Sequence, residues 1–80
     1  MAVRNSSLHA VEYRIAWGQE RRRFDIFRGE ERISSFSHQQ STAIGLAIQE
    51  AKWEAAETGQ KIIVTSMREG KRIMEWDGRC

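Results

Sequence analysis

The densest run of basic side chains in the sequence is Arg21-Arg22-Arg23, and a second basic group follows at Arg68, Lys71 and Arg72. Arginine supplies most of the positive charge, and its planar fork can hold two phosphate oxygens at once. Catalytic chemistry is harder to assemble. His9 and His38 have no sequence-local Cys, Asp or Glu at ligand or triad spacing. A structural zinc site takes about four such ligands, and the chain offers two His and one Cys. Glu30 and Glu31 are adjacent carboxylates in a turn, where side chains diverge, so they read as solvated. No Gly-rich phosphate loop is present. No nucleophile, base and orienting group combine into a reaction centre. The expectation is a non-enzymatic protein with no cofactor, no metal, and anion binding as its chemistry.

Elements that could position those residues follow from periodicity. Eighty residues, 40% hydrophobic and 30% charged, suit one small domain with a shallow core. Residues 1–10 are polar and aperiodic and read as a loose tail, 11–76 as a single domain, and 77–80 as a frayed end. Val11, Tyr13, Ile15 and Trp17 alternate with Glu12, Arg14 and Ala16, the period of a half-buried strand. Arg23 to Arg28 predicts a second strand, with Phe24 and Ile26 on one face and Asp25 and Phe27 on the other. Arg32 to Phe36 predicts a third, and brief Gly-containing turns make the set an antiparallel meander.

The period then lengthens. Ile44, Ala47, Ile48, Ala51 and Ala55 mark one helical face, with Gln49, Glu50, Lys52, Glu54 and Glu57 mostly elsewhere. Ser37 with Gln40 could form a capping box, Ser41 is a rival N-cap, and Gly59 suits a left-handed residue after the last turn. Gly45 inside the helix suggests close packing against a sheet. Lys61 to Met67 and Arg72 to Trp76 predict a hairpin around Arg68-Glu69-Gly70-Lys71. The predicted class is α+β: a small mixed sheet in the order ββ(β)αββ, with one amphipathic helix packed on one face. Ile44, Ala47, Ile48 and Ala51 are expected to bury against Ile15, Ile26, Ile62 and Val64.

Set in this layout, Tyr13-Arg14-Ile15, Phe24-Asp25-Ile26, Thr42-Ala43-Ile44 and Ile62-Ile63-Val64 resemble the bacterial family called domain of unknown function 2188. The likeness runs through Tyr13-Arg14-Ile15, Phe24-Asp25-Ile26 with Arg28-Gly29, and Ser34-Ser35-Phe36. It continues in Thr42-Ala43-Ile44, Ala47 through Ala51, Gly59, Ile62-Ile63-Val64 and Gly70, and so spans roughly residues 12–75. Phe24 stands where that family usually has tryptophan, and Arg68-Glu69-Gly70 where an Asp-Gly turn is common. The resemblance implies the fold and no catalytic residue.

Strand directions then locate the basic residues. With the first strand running up, the Arg21 turn, the helix start and the Arg68–Lys71 turn all fall at the top. Arg21, Arg22, Arg23, Arg68, Lys71 and Arg72 would therefore share an end with the helix N-terminus, whose free N–H groups attract anions. Glu30, Glu31 and Glu57 would make the opposite end acidic. The bland reading of Arg21 to Arg23 is a solvated turn. The functional one is contact with nucleic acid or phosphate. Trp17, Phe24, Phe36 and Trp76 are expected in the core rather than as base platforms. Trp53, offset from the apolar helix stripe, is expected to be exposed and to mark a protein contact. The alternative function is therefore a homo-oligomeric interaction module, most simply a homodimer, using a sheet edge or the Trp53 surface. One cysteine, Cys80, permits no intramolecular disulfide, and Met1 to Ala10 lacks the apolar run of a leader. With no apolar run long enough for a membrane span, these point to the cytoplasm and away from membranes.

Overall fold

A computed structural model describes residues 11–78. The expectations for the tail at 1–10, for His9 and for Cys80 lie outside the described residues. The chain runs β1 (Val11–Gly18), β2 (Arg23–Arg28), β3 (Glu31–Ser37), α1 (Gln40–Thr58), β4 (Ile62–Arg68) and β5 (Lys71–Asp77). The five strands form one sheet in the order β3-β2-β1-β4-β5. All neighbours are antiparallel except β1 and β4, which are parallel with Tyr13 opposite Val64 and Ile15 opposite Ser66. The helix supplies the crossover that a parallel pair requires. This is the predicted α+β arrangement with one helix on one face of a mixed sheet.

Alternation in β1 decides which side the helix covers. Tyr13, Ile15, Ile26, Ile62 and Val64 are buried on that side, against Ala43, Ala47 and Ala51 of α1. Three alanines one turn apart let the helix approach the sheet closely. The predicted stripe is thus rotated: Ala43 is buried, while Ile44, Ile48 and Ala55 flank the core and are half-buried. Gly45 faces open space and has no packing role. Two aromatic expectations are also corrected. Trp17, edge-on to Phe24 at 4.9 Å, is 51% exposed, and Phe36 on edge strand β3 is 39% exposed. Phe24 and Trp76 do pack against the core.

The helix starts without either predicted cap. Gln39 is the N-cap, in extended conformation and with no side-chain cap bond, and its N–H donates to Ser37 Oγ at 3.1 Å. The far end follows expectation: Gly59 lies at φ 74°, and its N–H donates to the Ala55 carbonyl at 2.8 Å. Glu69 and Gly70 both take positive φ, 51° and 78°, the backbone that suits a two-residue hairpin turn. β5 reaches Asp77, and the Gly78 N–H donates to the Ile62 carbonyl at 2.9 Å.

Candidate nucleic-acid interface

Because β1 and β4 are parallel, the turns that follow them leave the sheet at the same end. Ser37, which precedes the helix, pairs with Phe24 at that same end. The Arg21–Arg22 turn, the helix start and the Arg68–Lys71 turn therefore stand together there, in the predicted direction.

Their side chains are not equivalent. Arg23 donates through Nε to Asp25 Oδ1 at 2.8 Å, and its guanidinium lies 3.7 Å from the centre of the Phe36 ring. Arg68 approaches Glu75 at 3.7 Å, and Arg72 approaches Glu12 at 3.4 Å. Arg21, Arg22 and Lys71 carry no ion pair among the described residues. Glu20 and Glu69 share the two turns, so the excess of free positive charge is smaller than the run of arginines suggests. Arg22 also holds the turn closed: its N–H donates to the Gly18 carbonyl at 2.7 Å, at φ 57°.

Sequence reasoning missed the sheet face opposite the helix. Among the described residues the one helix covers one side only, so the residues that alternate away from it share the other face, where Thr65 and Asp25 are buried by their neighbours and Arg32, Phe36 and Met74 are exposed. Strand register lines up Arg32, Phe27, Arg14, Thr65 and Met74 in one row across all five strands. Arg14 sits 5.1 Å from the centre of the Phe27 ring. The next row begins with Phe36, Asp25 and Ala16, and here Arg23 covers Phe36. Each aromatic ring on this face thus carries a guanidinium. Thr65 Oγ1 donates to Glu12 Oε2 at 2.6 Å, which fixes the carboxylate that meets Arg72. The signal was legible in part, since Arg14 falls between Tyr13 and Ile15 in the alternation.

Where this face meets the β1–β2 turn there is a cleft of about 420 Å³. Gly18, Glu20 and Arg21 line it from the turn side, and Asp25, Phe27 and Arg32 from the strands. The Asp25 side chain is only 6% exposed. A Cβ on Gly18 would come within 2.7 Å of Asp25 Oδ2, so the carboxylate uses space that only glycine leaves open.

The covered face has its own polar group. Tyr13 and Arg28 are cross-strand partners, and both reach Glu54 of α1. The Tyr13 hydroxyl and Arg28 Nε donate to Glu54 Oε1, the latter at 2.9 Å, and Arg28 Nη2 donates to Oε2. Burial, then the bond to Glu54, pushes the Tyr13 hydroxyl up to about 12. The Arg28 guanidinium holds the Glu54 carboxyl below the usual range, and Arg28 is raised in return. Glu54 was expected on the solvated side of the helix. It is instead a clamp between helix and sheet.

Trp53 is 61% exposed, as expected, beside a shallow hollow lined with Ala56 and Glu57. His38 is exposed and edge-on to Phe36 at 5.9 Å. Among the described residues no group of three or more His, Cys, Asp or Glu could hold a metal ion, and no helix is long and apolar enough to cross a membrane. Comparison with known proteins finds no match: no family model, no curated protein and no solved structure.

Proposed function

We propose that this chain is a non-enzymatic accessory protein that binds single-stranded nucleic acid on the uncovered sheet face and the basic turns beside it. The observation that carries the reading is the pairing of Arg14 with Phe27 and Arg23 with Phe36 on a face that no other element among the described residues covers. Arginine planes and phenyl rings stack unpaired bases, and every base has a face to stack. Arg21, Arg22, Arg32 and Lys71 supply phosphate contacts at the edge of that platform, free of ion pairs among the described residues. A duplex hides its base faces, so it would reach the turns alone.

The test is anisotropy of a labelled single strand and of its duplex at two salt concentrations. Tighter binding to the single strand, weakening steeply with salt, supports the reading. Equal binding of both forms would reduce it to a phosphate contact.

The alternative is a homodimer through the Trp53 surface or a sheet edge. Trp53 exposure favours it, and the irregular pairing in both edge strands, β3 and β5, disfavours strand addition. A mass that doubles with concentration in light scattering would favour the dimer.

A further inference from the structure

We infer that the cleft beside the β1–β2 turn takes one unpaired guanine of the bound strand, with Asp25 accepting hydrogen bonds from its Watson–Crick edge. The inference rests on the single-strand reading and adds a base preference to it.

Three features of the cleft point to this ligand. First, its volume of about 420 Å³ leaves room for a base, and Phe27 offers a wall to lie against. Second, Arg21 and Arg32 line it together with Gln19 and Glu20, so two guanidinium groups against one exposed carboxylate leave positive charge for the phosphates that any nucleotide brings. Third, its inner wall carries a nearly buried carboxylate, which repels phosphate. An ionised carboxylate can only accept, so the part of the ligand that meets Asp25 must present N–H donors. Arg23 binds Oδ1 and sets the orientation of the group, while Oδ2 stands over Gly18, which also lines the cleft.

The four bases differ at this point. Guanine presents two adjacent donors, N1–H and the N2 amine, spaced for the two oxygens or the two lone-pair directions of a carboxylate. Adenine and cytosine set a bare ring nitrogen beside their amine, and that lone pair would face the carboxylate. Thymine and uracil flank their one donor with carbonyls. Arginine at the rim and aspartate within therefore select phosphate and guanine together.

The test uses an oligo-dT strand with a central dG, dA or deoxyinosine. The wild-type chain should bind the dG strand about tenfold more tightly than the dA strand, the discrimination of a good two-point base contact. Deoxyinosine, which lacks the N2 amine, should fall between them. Asp25→Asn should level the dG and dA affinities, and Gly18→Ala, which crowds Asp25 Oδ2, should do the same. Thermal melting shows whether either variant folds, and the comparison of strands on the wild-type chain needs no variant. Equal, salt-dependent binding of all strands would overturn the guanine site and leave the single-strand reading intact. Absence of binding to every strand at low salt would remove both.

Discussion

The two faces of the sheet use the same residue types in different ways. Under the helix, Tyr13, Ile15, Ile26, Ile62 and Val64 close against three alanines, and the charges that intrude are tied to one another through Glu54. On the other face Arg14 meets Phe27 along a row of register and Arg23 meets Phe36 on the diagonal, and no other element among the described residues lies above them. The covered face ties its charges together, whereas Arg32 on the open face carries no ion pair among the described residues. A small domain can spare one apolar face for its core, and what it leaves on the second face is free to serve binding.

The difference should appear first in stability. At fully buried positions, Ile26→Ala should cost about 2–5 kcal/mol in denaturant melts and the smaller deletion Val64→Ala about 1.5–3 kcal/mol. Arg32→Ala on the open face should cost under about 0.5 kcal/mol. Similar costs at the two sites would show that the open face is also part of the core. Ile48→Ala, at a half-buried position, should fall below the Val64→Ala cost.

The Glu54 clamp should come next. Glu54→Ala leaves the buried Tyr13 hydroxyl without its acceptor, at about 1–3 kcal/mol. Its pH signature follows from the shifts. Glu54 is held below its unfolded value, so its contribution is full above the ordinary carboxylate range and is lost as pH falls through the lowered value. Tyr13 is raised, so its contribution is full below about 10 and is lost as pH rises through about 12. Stability measured against pH should therefore fall at both extremes, and the Glu54→Ala variant should show a weaker acid limb. An unchanged acid limb would mean that Glu54 is not the group being protonated.

Gly45 gives the smallest effect and the opposite sign. It faces open space in the helix, so Gly45→Ala should stabilise by about 0.5–1 kcal/mol. A loss of stability would mean that the glycine packs against something.

Much of this was legible in the residue pattern, and the misses have physical causes. Alternation in Val11 to Trp17 assigned the core face of β1, and Gly59 and Gly70 marked the helix end and the second turn. Periodicity carries no information about neighbours, however, so the parallel pairing of β1 and β4 had to come from tertiary structure. The helix face was off by one position because its stripe of alanines, 43, 47 and 51, packs closer than isoleucine could. Trp17 and Phe36 followed the core alternation or the apolar content of their strands, yet each lies where the helix does not reach. Alternation put Asp25 with Phe27 on the correct face of β2, but its burial could not be read, because it depends on Gly18 in the partner strand, seven positions earlier in sequence and adjacent only through register.

The open face is tested most directly by the salt dependence of single-strand binding in an Arg14→Ala, Arg32→Ala double variant. These two arginines lie in one row with Phe27 between them and outside the basic turns. If the strand crosses that row, the log–log salt slope should fall by about 0.7, the single-strand value for the one phosphate contact at Arg32, and affinity should drop further at every salt concentration from the lost Arg14 stacking, with the fold unchanged. A slope equal to that of the wild-type chain would place the strand elsewhere and contradict a binding role for the uncovered face.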